Sequence, residues 1–255
     1  MELKHGLHLA YCTNIHRGED WSQTFNSLKT EVMSVRERVS VGKAYAIGLR
    51  LSDMAARELC DPATLEAFQE WLADGNCYVF TINGFPYGNF HGTRVKEQVY
   101  VPDWTSQDRL EYTNRLFDLI ARLVPAGIDG SVSTLPGSFK EFIADESQER
   151  QIRDNIWKCV EHISNLSNRT GKPLHLGLEP EPLGYFETSA ETVGFFEALR
   201  SEHPSDPKLY DHLGVNYDTC HLAVEYEEPQ AAIGTLCDAG LRISKLHLSA
   251  ALIVQ

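Results

Sequence analysis

The chain has 255 residues, of which 36 are acidic and 23 are basic, so its formal net charge is −13. An acidic balance argues against sequence-independent binding to nucleic acid or to an anionic membrane, because both need patches of Lys and Arg. The length suits one large α/β domain or two small ones. No stretch approaches the roughly 18 apolar residues of a membrane-spanning helix, so direct membrane insertion is not expected.

The six cysteines form no C-x-x-C pair, and the first residues, MELKHGLHLAYCTN, show no signal peptide. Secreted proteins of this size commonly carry both a leader and paired cysteines. We therefore expect reduced thiols and a cytoplasmic location.

Short apolar runs alternate with helical patterns along the chain, which predicts an α/β fold with a parallel sheet. Seven runs have the length and composition of strands, and the helices fill the gaps between them. The predicted strands are Gly6–Thr13, Tyr45–Leu51, Cys77–Asn83, Ile128–Ser133, Leu174–Glu179, Leu213–Asp218 and Arg242–Leu248.

The helix boundaries carry local signals. Asp61 followed by Pro62 is typical of an N-cap and a first helical position. A long amphipathic pattern runs from Glu146 to about Asn168, and Gly171 is placed to end that helix.

Two further helices begin at sequences that resemble capping boxes, in which a Ser or Thr side chain and a later acidic side chain cap each other's backbone. Thr105 and Asp108 form the first pair, and Thr188 and Glu191 the second. The last helix is bracketed by Pro229 and Gly240.

One connection, residues 84–104 (GFPYGNFHGTRVKEQVYVPDW), is too long for a simple strand-to-helix turn and is rich in glycine and aromatic residues. Loops of this kind are usually lids or binding loops. We expect it to fold over the mouth of the sheet and to bring His91 or its aromatic residues there. The alternative is a surface excursion packed by its own aromatic side chains.

Three side chains that could bind a metal stand near the carboxyl ends of the last three predicted strands: Glu179, Asp218 and His247. Parallel strands deliver these ends to one face, which in α/β barrels is the face where chemistry occurs. Carboxylate and imidazole ligands suit Mn²⁺, Co²⁺, Mg²⁺ or Zn²⁺. Taken alone, Asp218 could be only a helix N-cap, and His247 only a core histidine.

Two neighbours of this trio are further candidates. Glu181 lies two residues after Glu179 in LEPEP, so both carboxylates could point to the same mouth. His221 follows Asp218 by three residues and can return to the same cavity if the chain turns after the strand. The alternative for both is a solvated side chain.

Polar side chains also follow the first and third predicted strands. Asn14 and His16 come after the first, and Asn83 and His91 come at or after the third. Each could hydrogen-bond a polyol or carboxylate ligand, and each could equally serve the structure of its loop.

These segments resemble the xylose isomerase-like TIM barrels, a superfamily of sugar isomerases, ketose epimerases and endonuclease IV-type phosphodiesterases. LEPEPLGYFET resembles the L-E-P/V segment of the epimerases, YDTCHLAVE their D-T-x-H segment, and KLHLSA the strand with their ligand histidine.

The resemblance implies one (β/α)₈ TIM-barrel domain over residues 1–255. It assigns Glu179, Asp218 and His247 as ligands of a divalent metal ion, and His221 as a substrate contact or further ligand. Glu187 is the nearest match to a second glutamate of the epimerases. The metal would polarise a carbonyl and its neighbouring hydroxyl as a Lewis acid, and Glu181 or Glu187 would move the proton.

The seventh predicted strand ends shortly before Gln255, so we expect the eighth β/α unit, which carries a final carboxylate ligand in the superfamily, to be missing. An open doubly wound sheet is the alternative fold. A barrel open at this point would expose strand edges and favour aggregation or a homo-oligomer.

Three long segments, HLAYCTNIHRGEDW, TINGFPYGNFHG and LEPEPLGYFET, resemble more closely the Ebo-type metabolite traffic proteins. These are encoded beside a prenyltransferase-like membrane protein in bacterial clusters. The resemblance implies a role in secondary-metabolite traffic, a small polyhydroxylated or carbonyl metabolite as ligand, and a membrane prenyltransferase-like partner. The alternatives are a non-catalytic carrier or scaffold and, disfavoured by the acidic charge, an endonuclease IV-type phosphodiesterase.

Overall fold

The computed structural model of the chain describes residues 1–88 and 96–252. In this part of the chain, seven parallel strands form one sheet in sequence order, each hydrogen-bonded to the next. The predicted parallel α/β architecture is therefore confirmed. The strands are β1 Ala10–Cys12, β2 Tyr45–Arg50, β3 Cys77–Asn83, β4 Gly130–Thr134, β5 Leu174–Leu178, β6 Leu213–Asp218 and β7 Arg242–His247.

Helices connect successive strands and cover the outer face of the sheet. A π-helical turn, Leu28–Val32, joins the first two α-helices. Short 3₁₀ turns occur at residues 4–6, 13–15, 96–100 and 140–142. The α-helices are α1 Trp21–Ser27, α2 Met33–Val39, α3 Asp53–Leu59, α4 Pro62–Asp74, α5 Gln107–Leu123, α6 Glu146–Thr170, α7 Ser189–Glu202, α8 Lys208–His212, α9 Thr219–Val224 and α10 Pro229–Asp238.

Most predicted helix boundaries are confirmed. The Asp61 side chain caps α4 by accepting from the Thr64 N–H. Thr188 and Glu191 form a complete capping box at α7. Gly171 ends α6 with φ +67°, a left-handed conformation that favours glycine.

The predicted capping box of Thr105 and Asp108 is wrong. The N-cap of α5 is Ser106, whose side chain accepts from the Asp108 N–H. The Thr105 hydroxyl instead donates to Asp103 at 2.5 Å. Thr105 is thus used in the turn before the helix and is not free to cap it.

The first strand is shorter than predicted, three residues in place of Gly6–Thr13. His5 and Gly6 have positive φ angles of 63° and 71°, which a β-strand cannot contain. Leu7 and Leu9 then remain exposed. The other six strands agree with the prediction to within two residues.

The sheet is curled, so that β7 faces β4 and β5 across a concave interior. Lys245 on β7 donates to the Ser133 hydroxyl on β4 at 3.2 Å. Ser244 lies at an irregularity in the pairing of β6 with β7, and its hydroxyl is 2.5 Å from His175 Nδ1 on β5. Within residues 1–88 and 96–252, β1 and β7 do not pair with each other.

One buried arginine fixes the chain on both sides of the long β3–α5 connection. Arg109 of α5 is fully buried and donates to the carbonyl oxygens of Gly84, Phe85 and Pro102. Burial lowers the pKa of the Arg109 guanidinium to about 10. Both ends of the connection are thereby held against the carboxyl end of the sheet.

No helix within the described residues is long and apolar enough to cross a membrane.

Gly214 at the start of β6 provides a test of strand packing. A Cβ there would lie 2.5 Å from the backbone oxygen of Arg242 on β7, so Gly214→Ala should separate the two strands and lower the free energy of unfolding by about 1–3 kcal/mol. Urea unfolding followed by circular dichroism measures this change.

The matched control is Gly234→Ala in α10, where a Cβ would meet nothing within 4 Å. This change should stabilise the protein by up to about 1 kcal/mol, because alanine favours helix more than glycine does. Equal effects of the two substitutions would contradict the close approach of β6 and β7.

Candidate metal centre

Glu179, Asp218 and His247 meet at the carboxyl ends of three adjacent strands. Glu179 directly follows β5, and its N–H donates to the Thr134 carbonyl at the end of β4. Asp218 and His247 are the last residues of β6 and β7 and are register partners. Parallel register thus delivers all three side chains to one edge of the curled sheet.

The distances between the three side chains suit a metal ion. His247 Nδ1 lies 3.2 Å from Glu179 Oε1 and 3.4 Å from Asp218 Oδ2, and one ligand atom from each residue lies within 4.8 Å of the others. Ligands held about 2.1 Å from one ion are about 3.0–3.4 Å apart in octahedral or tetrahedral geometry. The expected convergence is therefore observed, and the role of these residues as ligands stays a prediction.

His221 turns back toward the same cluster, as the sequence predicts. Its Nδ1 is 3.7 Å from Glu179 Oε1, and its Nε2 is 4.0 Å from Asp218 Oδ2. The Nδ1 atom is buried and has no hydrogen-bond partner. A buried ring nitrogen that faces carboxylates without a hydrogen bond fits a group that binds a cation or a ligand.

Asp218 has two roles at once. Its Oδ1 caps α9 by accepting from the Cys220 N–H at 2.9 Å and the His221 N–H at 3.4 Å. Its Oδ2 faces His247 in the cluster. The two readings of this residue from the sequence, helix cap and ligand, are therefore compatible.

A shell of hydrogen bonds orients the cluster. The Asn216 amide donates to Glu179 Oε2 at 2.6 Å and lies 3.2 Å from His247 Nδ1. The Ser249 hydroxyl donates to Asp218 Oδ1. Sequence reasoning missed Asn216, although its position two residues before Asp218 on β6 places both side chains on one face.

Interactions between opposite charges set the direction of the pKa shifts of His247 and Asp218. Burial and the neighbouring Lys245 lower the pKa of His247, but the charge of Glu179 and the hydrogen bonds to both carboxylates outweigh them and raise it above its usual value. Burial raises the pKa of Asp218, yet its bonds to His247 and Ser249 and the charge of His221 leave it well below the usual range. Burial lowers the pKa of Lys245.

The two candidate proton-transfer residues differ in position. Glu181 lies beside the cluster, with its Oε2 3.9 Å from His221 Nε2, and it forms a hydrogen bond with the buried Tyr100. Glu187 instead forms an ion pair with Lys140 at 3.0 Å. The structure therefore brings Glu181, and not Glu187, against the predicted ligands.

The remaining predicted substrate contacts that the structure describes form no hydrogen bond with this cluster. His16 uses both ring nitrogens, one with Tyr11 and one with Glu31. Asn83 is buried and accepts from the Phe85 N–H at 2.9 Å. Asn14 has a buried side-chain oxygen without a hydrogen-bond partner.

Part of the long connection borders the site. Tyr100, in the 3₁₀ turn before α5, packs against Phe85 and Phe139, and its hydroxyl reaches Glu181. Burial, followed by the charge of Glu181, raises the pKa of Tyr100 far above its usual value. His91 and its neighbours lie outside the described residues. The predicted lid therefore stays a prediction.

The chain matches no protein-family profile and no curated protein, but its structure is similar to several solved structures. The probable 3-DHS dehydratase AsbF of Bacillus anthracis superposes with a TM-score of 0.56 at 13% identity, over 91% of this chain and 70% of that one. A structure of L-ribulose 3-epimerase superposes with a TM-score of 0.55 at 16% identity, over 95% and 80%.

A third structure is a xylose isomerase-like TIM barrel protein from Mycobacterium smegmatis in complex with magnesium. It superposes with a TM-score of 0.54 at 16% identity, over 80% of this chain and 62% of that chain. At such low identities these likenesses show the fold alone. The chain has the fold of the xylose isomerase-like TIM barrels, as the resemblance of its motifs predicts.

In the metal-free protein, His247→Gln should lower the free energy of unfolding more at about pH 5.5 than at about pH 8.5. A raised histidine pKa stabilises the fold fully below the unfolded value near 6.5, and this stabilisation is lost as pH rises through the folded pKa. The lowered pKa of Asp218 keeps its carboxylate charged throughout this window. We expect a loss of about 1–3 kcal/mol at the lower pH.

Urea unfolding in the presence of a chelator measures this difference at both pH values. The control is His5→Asn, because His5 is exposed in the first 3₁₀ turn. A larger effect of His247→Gln at the higher pH would show that the cluster does not favour the imidazolium.

Proposed function

We propose that the protein is a divalent-metal-dependent enzyme of the sugar isomerase or epimerase type. The observation that carries this proposal is the convergence of two carboxylates and one imidazole, Glu179, Asp218 and His247, at the carboxyl ends of adjacent parallel strands. Solved structures of similar fold include an L-ribulose 3-epimerase and a magnesium complex.

Glu179, Asp218 and His247 would hold the ion, and His221 lies close enough to be a further ligand or a substrate contact. A mixed oxygen and nitrogen set suits Mn²⁺, Co²⁺, Zn²⁺ or Mg²⁺. Bound there, the metal supplies Lewis acidity toward a carbonyl oxygen and its neighbouring hydroxyl. Asn216 would fix the orientation of Glu179 and His247, as hydrogen-bonded neighbours of metal ligands commonly do.

Glu181 is the better placed of the two carboxylates to move a proton. It borders the cluster, whereas Lys140 holds the Glu187 carboxylate in an ion pair. Tyr100 can donate to Glu181 and keep it oriented toward the cavity. A carboxylate in this position would take a proton from carbon beside the carbonyl and return it, as an isomerase or epimerase requires.

The metabolite that the site would bind is small and polyhydroxylated or carbonyl-containing. The three segments that resemble the Ebo-type proteins support a role in metabolite traffic, in the cytoplasm and next to a membrane prenyltransferase-like partner. The same segments support a non-catalytic carrier as the second candidate, in which the site would bind the metabolite without turnover.

We also propose that a further β/α unit closes the seam between β1 and β7. Each of these strands has one unpaired edge within the described residues. Leu246 and Leu248, which alternate with His247, are 51% and 76% exposed. An added strand would pair both edges, and its helix would cover these leucines.

Metal binding is the first test. Glu179→Gln, Asp218→Asn and His247→Gln should each weaken Mn²⁺ binding by at least about 100-fold, because each removes a ligand. Isothermal titration calorimetry measures the affinity. The control is Glu141→Gln, an exposed carboxylate in the turn of residues 140–142, which should bind Mn²⁺ as the wild type does. Unchanged affinity in all three variants would refute the proposed centre.

Turnover separates the enzyme from the carrier. If the metal-loaded protein isomerises or epimerises a member of a ketose panel, Glu181→Gln should reduce kcat by about 10²–10⁴-fold while Mn²⁺ affinity is kept. Nuclear magnetic resonance detects the exchange of the carbon-bound proton with solvent. Saturable binding of a panel member without any exchange would favour the carrier.

The open seam predicts self-association of the 255-residue chain. Leu246→Lys combined with Leu248→Lys should shift an associating population toward monomer, because it places charge on the uncovered apolar face. Light scattering after size exclusion, over a range of concentrations, measures the distribution. The control pair is Val39→Lys with Val41→Lys, at exposed positions in the last residue of α2 and just after it. A wild type that stays monomeric at every concentration would contradict an uncovered seam.

A further inference from the structure

A small recess lies between α1 and the carboxyl ends of the first two strands. Thr13, which directly follows β1, and Arg50, the last residue of β2, line it from the sheet. Thr24 and Ser27 line it from α1, and residues 16–18 complete it. Its volume is about 10 Å³, which is room for one water-sized group such as a single oxygen atom. The recess shares no residue with the candidate metal centre.

Arg50 brings a buried positive charge to this recess without a close counterion. The residue is 3% exposed, and its terminal nitrogens donate to the carbonyl oxygens of Gly18 and Gly88, both at 2.7 Å. Among the described residues, Glu19 alone has a carboxylate oxygen within 4 Å of the guanidinium, and that oxygen is 3.6 Å away. The buried Nε of Arg50 has no hydrogen-bond partner. A buried charged group with an unused N–H is costly unless a ligand completes its bonding.

Two hydroxyl groups add further donors to the same recess. Ser27 is buried and its hydroxyl has no hydrogen-bond partner, although a serine in a helix can donate to a carbonyl one turn earlier. The Thr13 hydroxyl accepts from the Arg50 N–H at 2.8 Å, which leaves its own proton available. Three donors therefore line a space of one-oxygen size, and an acceptor satisfies all of them.

A second guanidinium lies at the rim of the recess. Arg17 is exposed and forms no ion pair within residues 1–88 and 96–252. The adjacent His16 is already paired with Glu31, and Glu19 offsets only one of the two arginines. The recess thus keeps a positive charge on a chain whose net charge is −13. A concave surface of this sign attracts anions.

We propose that this recess binds a small oxyanion, a carboxylate or a phosphoryl group. One oxygen accepts from Arg50 Nε and the hydroxyl of Ser27, and the remaining oxygens face Arg17. Hydrogen bonds from a guanidinium to an anionic oxygen are about twice as strong as neutral ones. The inference does not rest on the proposed metal centre. The oxyanion is either a free inorganic anion or the anionic substituent of a metabolite.

Phosphate binding to the chelator-treated protein tests the proposal. Inorganic phosphate should raise the Tm of the wild type, because a ligand that binds only the folded state stabilises it. Ser27→Ala should weaken phosphate binding by about 10-fold or more, since it removes a hydrogen bond to a charged group. Arg17→Gln should weaken it by about 2–5-fold, as expected for an exposed charge, and Arg17→Lys should restore most of the loss. Isothermal titration calorimetry measures the affinities.

The serine variant also separates binding from folding. Ser27→Ala removes a hydroxyl that has no partner, so without phosphate its Tm should equal or exceed that of the wild type. With phosphate, only the wild type should gain stability. The matched controls are Ser34→Ala and Arg38→Gln, at exposed positions in α2, which should bind phosphate as the wild type does.

Fructose, a fructose monophosphate and gluconate distinguish the two sources of the oxyanion. A phosphate ester or sugar acid that binds at least about 10-fold more tightly than inorganic phosphate, and that loses this affinity in Ser27→Ala, identifies a substituent of a metabolite. Equal affinity for inorganic phosphate and the ester identifies a free anion. Both results support the oxyanion site, and binding of neutral fructose with the same dependence on Ser27 would contradict it.

A wild type whose Tm does not respond to phosphate would overturn the proposal. A response that Ser27→Ala and Arg17→Gln leave unchanged would do the same. So would a crystal structure grown in phosphate in which only an ordered water bridges Arg50 Nε and the Ser27 hydroxyl. Because these measurements use metal-free protein, their failure would leave the metal centre standing, and a failure of Mn²⁺ binding would leave the oxyanion site standing.

Discussion

The repulsion between carboxylates at the ends of β5 and β6 is the constraint on which the candidate site depends. Glu179 and Asp218 are both buried, and like charges this close in a protein interior cannot persist without compensation. His247 lies between them and gains a proton more readily than a free imidazole, and Lys245 lies nearby on the same strand. The positive charge that offsets the two carboxylates could therefore be supplied instead by a divalent cation.

The parts of the fold that local chemistry decides could be predicted from the sequence. The bounds of β3 and β6 follow from apolar runs closed by turn residues, and the caps of α4 and α7 follow from hydrogen bonds within one turn. Parallel strands of matched register also placed Asp218 and His247 side by side. Each of these depends on residues that are close in sequence or on a rule that acts on all parallel strands.

What could not be predicted depends on contacts between distant segments. Tyr100 reaches Glu181 because Arg109 and the edge-to-face contact with Phe85 hold the end of the long connection in place. The irregular pairing of β6 with β7 brings Ser244 inward toward His175, and no period in the sequence reports it. Glu187 is the nearest match to the second glutamate of the epimerases, but its ion pair with Lys140 depends on a distant turn, residues 140–142.

The hydrogen bonds of Arg109 have a consequence for how far the length of the β3–α5 connection can vary. One guanidinium joins the carbonyl oxygens of Gly84 and Pro102, so the chain between them is a loop closed at its base. The entropy cost of closing such a loop grows only slowly with its length. Insertions and deletions between these anchors should therefore be tolerated while Tyr100 and the strands beneath it stay where they are.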